Sequence, residues 1–195
     1  MTPLEIRALA PENVDELLAF FDRDAFADNT WWSGCYCYFY HSPGDEWDAG
    51  SDKAAEHREA KRRHALAGRS HGFLAYAGGK VVGWLNAAPR ESYENPRGFG
   101  EARDGTPGVG ALMCFVVAPG HRRRGVARAL LRAACDGFKR ASLRYAEGYA
   151  RVAPKRDDWE TFDTMSYHGP LALYEAEGFT RIRDLGAYAI MRKTL

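Results

Sequence analysis

A chain of 195 residues, 46% hydrophobic and 27% charged, is long enough for one domain with a real core, and its composition excludes a disordered polymer. Its 27 basic and 26 acidic residues leave a formal net charge of +1, so no global field draws it to nucleic acid or to a membrane surface. No apolar run approaches the roughly 20 residues of a membrane span. The first residues, MTPLEIRALAPENVDELL, contain acidic groups and no signal-peptide core, so the expected location is the cytoplasm.

Leu4 to Leu9 alternates well enough for a first strand. Pro11 then introduces a helix whose apolar residues Val14, Leu17, Leu18 and Phe21 fall at i, i+3, i+4 and i+7. Glu12, Asp15 and Glu16 sit in its first turns, where the helix dipole favours negative charge.

Residues 24–40 are aromatic: Trp31-Trp32-Ser33-Gly34-Cys35-Tyr36-Cys37-Tyr38-Phe39-Tyr40. They read either as an edge strand burying alternate rings or as the wall of a binding slot for an apolar or cationic molecule, with Trp31 and Tyr36 as candidates. Cys35, Cys37 and the nearby His41 suggest a metal site only on paper, because no second cysteine pair completes a tetrahedral set. A reduced cytosolic pair is the simpler expectation, with no metal. Cys114 and Cys135 read as buried thiols.

Ser51 to Ala67 reads as a helix capped by Ser51 or Asp52 and ended by Gly68. It is charged nearly all round, so it is expected on the surface, supported by i,i+4 charge pairs. Its basic run reads as a solvated face and not as a nucleic-acid contact. Phe73 to Ala77 and Val81 to Ala88 form a hairpin through Gly78-Gly79. Arg90, Glu91 and Tyr93 follow. Residues 94–108, rich in Gly, Pro and charge, read as a loop.

Val109 to Val117 is a buried strand, stopped by Ala118-Pro119-Gly120. Four residues that are basic or potentially so, His121 to Arg124, precede Gly125 and an amphipathic helix carrying Val126, Leu130, Ala134 and Phe138 on one side. A strand, tight turn and helix in so short a space aim unpaired N–H groups outward, which makes an anion site at the helix start. Arginines beside it can form forked hydrogen bonds to phosphate. Leu143 to Val152 reads as a further strand with Glu147 inside it, and residues 153–168 are irregular. Pro170 starts and Gly178 ends a short helix, and Phe179 to Arg183 and Ala187 to Arg192 make a last hairpin.

Arg122-Arg123-Arg124-Gly125-Val126-Ala127 resembles the pyrophosphate signature of the GCN5-related N-acetyltransferase (GNAT) superfamily: Arg or Gln, two residues, Gly, one residue, Gly or Ala. Tyr174, three residues, then Gly178-Phe179 resembles the C-terminal helix and strand of the same superfamily. The resemblance covers most of the chain and is weakest at residues 24–70 and 94–108. It implies a single α/β (α+β) domain over residues 1–195, with a mixed, mostly antiparallel central sheet of about six to seven strands flanked by helices and splayed between strands four and five. It implies acetyl-coenzyme A as co-substrate, held by Phe115, Val116 and Val117 on the fourth strand and by Arg122, Arg123, Arg124, Gly125, Val126 and Ala127 in the turn. It also implies direct attack of an amine in a ternary complex, with Tyr174 serving the departing thiolate.

An alkyl ammonium has a pKa of about 10, so some group must take its proton. The fourth strand holds no carboxylate, and many relatives place a glutamate there. Glu147 is the first candidate base, with Asp163 and His168 as rivals and a water-mediated route open. Trp31, Tyr36, Arg90 and Tyr93 are the candidate acceptor contacts, for a small amine or a peptide. The missing carboxylate keeps a second class open, a coenzyme A-binding sensor or interaction module without catalysis. An exposed edge strand or the aromatic stretch offers a contact for a homodimer.

Overall fold

The computed structural model describes residues 3–42, 53–95, 103–152 and 166–195. The helix-capping role expected of Ser51 and Asp52, and the base role expected of Asp163, fall outside those residues.

Seven strands form one sheet: β1 (Leu4–Ala8), β2 (Gly72–Ala77), β3 (Lys80–Pro89), β4 (Val109–Val117), β5 (Tyr145–Arg151), β6 (Thr180–Asp184) and β7 (Tyr188–Thr194). Their order is β1-β2-β3-β4-β5-β7-β6. Every neighbouring pair is antiparallel except β4 and β5, which are parallel. That parallel pair requires a crossover, and the helix α3 (Val126–Arg140) supplies it. The mixed sheet agrees with the architecture expected from the sequence.

The parallel ladder is short. It runs from Val109 opposite Tyr145 to Leu112 opposite Gly148 and then stops, although β4 continues to Val117 and β5 to Arg151. The two strand ends diverge, and residues 167–170 lie between them. The Phe115 N–H donates to the Tyr167 carbonyl (2.6 Å) and the Arg151 N–H to the Gly169 carbonyl (2.9 Å). The site is built around this gap.

Each sheet face has its own cover. On one, α3 buries Val126, Leu130, Leu131, Ala134 and Phe138 over Leu85, Leu112 and Ala146. The helix comes close because glycines face it. A Cβ on Gly110 would stand 2.4 Å from the Phe138 ring, closer than packed atoms tolerate. On the other face, α1 (Val14–Arg23) buries Val14, Leu17, Leu18, Phe20 and Phe21 against Leu74, Tyr76, Trp84 and Val116. Asn13 fastens its start: its side-chain oxygen accepts from the Ala10 N–H (2.9 Å) and its amide donates to the Ala8 carbonyl (2.9 Å).

The next helix, α2 (Ala54–Leu66), lies at the surface as its charge suggests, yet it has a buried side. It buries His57, Ala60, Lys61 and Ala65. The aliphatic stem and ammonium of Lys61 pack beside Trp84, with Nζ 4.8 Å from the ring centroid. Local pattern did not show this, because a buried lysine carries no periodic apolar signal. The last helix, α4 (Leu171–Ala176), anchors through Tyr174.

Residues 24–42 are not an edge strand. They form short 3-10 turns at Thr30–Trp32 and Phe39–His41, joined by a tight turn over Cys35 to Tyr38. The Tyr38 N–H closes that turn onto the Cys35 carbonyl (2.9 Å), and Tyr36 and Cys37 both take positive φ (47° and 52°). Two left-handed residues in succession define a turn usually given to Asn and Gly. For side chains with a Cβ, each such residue costs about 1–2 kcal/mol, which the surrounding packing must offset.

Candidate functional site

One large cavity, about 960 Å³, runs along the diverging edge of β4 to the start of α3. Its outer end is the turn before α3. Gly125 takes φ +82°, in the left-handed region where glycine is favoured, and swings the chain into the helix. No side chain among the described residues caps the helix. Among the described residues, no acceptor lies against the N–H groups of Gly125, Val126, Ala127 and Arg128. Four free donors at the positive end of a 15-residue helix form a cradle for an anionic group. A diphosphate fits the chemistry of these donors.

The expected cofactor residues divide. Phe115, Val116, Val117, Arg122, Arg123, Gly125, Val126 and Ala127 line the cavity; Arg124 does not. Arg122 has another task than the one expected. Its Nη2 donates to the Asp28 carboxylate (3.0 Å) and its Nε to the Val117 carbonyl (3.1 Å), so it fastens the turn to the end of β4. The hydrogen bond from Arg122 holds the Asp28 carboxyl below its ordinary range, against the opposing effect of partial burial. The Phe115 N–H, expected free, is taken by the Tyr167 carbonyl. Residue 167 therefore occupies a hydrogen-bonding position on β4 that a ligand lying along that strand would share.

Tyr174 stands apart from the expectation. It does not line the cavity; it is fully buried, and its hydroxyl donates to the His168 carbonyl (2.7 Å). Burial holds its phenol far above the usual value. A Cβ at Gly148 would lie 2.2 Å from its ring, so β5 is shaped around this tyrosine. Its role in the structure is an anchor.

Glu147, the first candidate base, also lies away from the cavity. It is buried and absent from the cavity lining. It accepts from Arg90 Nη1 (3.3 Å), Arg192 Nε (3.0 Å) and the Tyr149 hydroxyl (2.9 Å). Asp104 joins the same cluster through Arg192 Nη2 (2.8 Å). Its oxygens are taken up by two guanidiniums and a phenol, away from the cavity. Arg90 belongs to this hub and not to an acceptor pocket.

The remaining acceptor candidates scatter. Trp31 is 84% exposed; its neighbour Trp32 lines the cavity and packs against Tyr167, with centroids 5.4 Å apart. Tyr36 packs on Phe21 and donates its hydroxyl to Asp22 (2.8 Å). Tyr93 is buried and donates to Asn86 Oδ1 (3.0 Å). His168 is buried beside the Tyr40 hydroxyl (3.3 Å), and burial pushes its imidazole down to about 3. It is neutral near pH 7.

Sequence reasoning passed over the cysteines as chemistry. Cys35, Cys37 and Cys114 all line the inner part of the cavity. Burial alone would push the Cys37 thiol up. The neighbouring Cys114 thiol, the charge of Lys61 and the Asn86 amide, which donates towards the sulfur (3.5 Å), outweigh it, and the net direction is down. Cys35 moves the opposite way, to about 12, through burial and its charged neighbour Cys37. Among the described residues, no group of three or more His, Cys, Asp or Glu converges as a metal site.

A mixed sheet with a split between two parallel strands, and an anion cradle on the helix that connects them, defines the class of acetyl-coenzyme A-dependent acyltransferases. The chain belongs to the acetyltransferase (GNAT) family, whose model matches residues 20–157. Solved structures share the fold. They include the PaiA N-acetyltransferase from Thermoplasma acidophilum in complex with coenzyme A (15% identity, TM-score 0.53, 99% of each chain covered). YncA from Salmonella typhimurium with acetyl-coenzyme A is similar (13% identity, TM-score 0.53, 98% of this chain and 93% of the other). So is a ribosomal-protein-alanine N-acetyltransferase from Brucella melitensis (15% identity, TM-score 0.54, 98% and 99%). No curated protein matches the chain in sequence. Among the described residues, no helix is long and apolar enough to cross a membrane.

Proposed function

We propose that the protein transfers an acetyl group from acetyl-coenzyme A to the amine of a small molecule or a peptide. The observation that carries this reading is the set of unpartnered N–H groups from Gly125 to Arg128 at the mouth of the cavity. A diphosphate would take those donors, with Arg123 and Arg128, which also line the mouth, adding charge at close range. The cavity then leads inward past Val116 and Phe115 to Trp32 and Tyr167, where the acyl group and acceptor would meet. The two rings favour an acceptor with an apolar body or a cationic centre.

Isothermal titration with acetyl-coenzyme A checks the reading. Saturable binding is expected, and Gly125→Val should weaken it, because a β-branched residue resists the left-handed conformation required there. An absence of heat at ligand concentrations on the order of millimolar would remove the basis of the assignment. Thiol release in the presence of an amine panel then separates an enzyme from a coenzyme-binding module.

A further inference from the structure

β4 and β5 stop pairing after Leu112 and Gly148, and the chain itself enters the gap. The Phe115 N–H of β4 donates to the Tyr167 carbonyl (2.6 Å), and the Arg151 N–H of β5 donates to the Gly169 carbonyl (2.9 Å). The N–H groups of an extended strand alternate in direction. Ala118, one residue past β4, donates to the Val82 carbonyl on β3 (3.0 Å), whereas Phe115 donates the opposite way. Phe115 and Val117, which both line the cavity, therefore aim their N–H groups to the same side. The inner of these two donors is already taken by a carbonyl of the protein.

The segment that takes it is held unevenly. His168 is buried; its carbonyl accepts from the Tyr174 hydroxyl of α4 (2.7 Å), and its Nε2 lies 3.3 Å from the Tyr40 hydroxyl. Pro170 bridges to Arg151. These contacts fix the segment from residue 168 onward. Tyr167 is only half-buried. Its ring rests on that of Trp32, also half-buried, with centroids 5.4 Å apart, and Tyr188 lies beside it. A firm base with a lightly held tip can swing without unfolding what lies behind it. The exchange at Phe115 is also nearly balanced. Acetyl-coenzyme A carries amide and thioester carbonyls, and either can accept the N–H that Tyr167 gives up, so no buried donor is stranded. A molecule held by its diphosphate at the start of α3 and lying along β4 meets Tyr167 at the inner end.

We propose that Tyr167 is a gate: in the free protein its carbonyl occupies the Phe115 amide and its ring closes on Trp32, and acetyl-coenzyme A displaces it to open the inner cavity. This inference rests on the acetyl-coenzyme A reading of the cavity. The gate is an internal stand-in for the co-substrate, and it lowers the apparent affinity by the fraction of molecules in which it is shut. Parting the two rings is the main cost of opening.

The test needs no acceptor. Rapid mixing of the wild-type protein with acetyl-coenzyme A is followed by tryptophan fluorescence. A signal change is expected whose rate levels off as ligand concentration rises, because opening becomes limiting. Trp32→Phe should lose that signal while calorimetry still shows binding. Tyr167→Ala removes one aromatic pair from the shut state, and its affinity for acetyl-coenzyme A should rise about two- to tenfold. Trp32→Ala removes the same pair from the opposite wall and should act alike, which keeps the test open should one variant fold poorly. Wild-type protein that binds acetyl-coenzyme A with no change in the Trp32 signal would overturn the gate and leave the proposed function standing. Unchanged or weaker binding by both alanine variants would overturn it as well, since the rings would then hold the ligand and not bar it. Failure of the wild-type protein to bind acetyl-coenzyme A at all would overturn both.

Discussion

Two buried charges sit at the same sheet, and they are satisfied in opposite ways. Glu147 on β5 lies between Arg90 and Arg192, with Tyr149 donating to it as well. Lys61 on α2 has a serine, an aromatic face and three nearby thiols. The first cluster is a set of ion pairs between carboxylates and guanidiniums. The second is built from groups that can gain or lose a proton. Fixed charges make a structural joint, here tying β5, β7 and the loop around Asp104 and Thr106 together. Exchangeable protons make a cluster that responds to pH. The cavity location agrees: the thiols line it and Glu147 does not.

Breaking the first cluster should give the largest effect. Glu147→Ala leaves Arg90, 3% exposed, without its buried counter-charge. Removing one partner of a buried pair typically costs about 3–5 kcal/mol. Urea unfolding should show that loss, while acetyl-coenzyme A binding per folded molecule stays near the wild-type affinity. A variant that keeps full stability but loses turnover would reverse the comparison and return Glu147 to the role that the sequence suggested.

Much of that contrast was hidden in the sequence. The turn before α3 was readable, because strand, Pro119, Gly125 and helix follow one another within a few residues. The hairpin at Gly78-Gly79 and the α1 stripe were readable for the same reason. What failed was long-range. Arg192 reaches Glu147 across 45 residues, and Asn86 reaches Cys37 across 49. An acidic residue in an apolar strand looks the same on paper whether it is a base or the centre of an ion-pair hub. Tyr174 sits in a recognisable motif, yet its burial depends on Gly148 in another strand. Lys61 was lost among the charges of α2, since nothing local marks which of them points inward.

Acidification probes His41, beside the second cluster, together with the buried His168, and its effect is more gradual. Burial is the first cause that lowers His41, to about 2, and His168, to about 3, from an ordinary 6.5. In the unfolded chain both take up a proton near pH 6.5, whereas the folded protein resists until far lower. The unfolded state thus binds more protons, and stability falls as pH drops from about 6.5 towards about 3. Cys37 acts in the same direction at higher pH. Its folded value is depressed, so its contribution is present above its unfolded value, where the thiol has ionised, and is lost as pH falls. Chemical denaturation across this range should therefore show stability rising with pH. A flat profile would mean that these groups are hydrated in solution.

Replacing Lys61 should have the smallest effect on stability, and this sets the two clusters apart most directly. Lys61→Met keeps an unbranched stem beside Trp84 and removes the ammonium. The hydrogen bond to Ser70 is lost, worth about 1 kcal/mol. The desolvation of a buried charge is removed with it, which works the other way. Cys37 is not stranded as an anion, because a thiol can take up a proton. The net change in unfolding free energy should stay within about 1 kcal/mol of zero, against the several lost in Glu147→Ala. Alkylation of Cys37 by iodoacetamide near neutral pH should meanwhile slow markedly, since the neutral thiol is a weak nucleophile, and recover as pH rises. A large loss of stability with unchanged alkylation would make Lys61 a structural pillar and leave Cys37 without its cation.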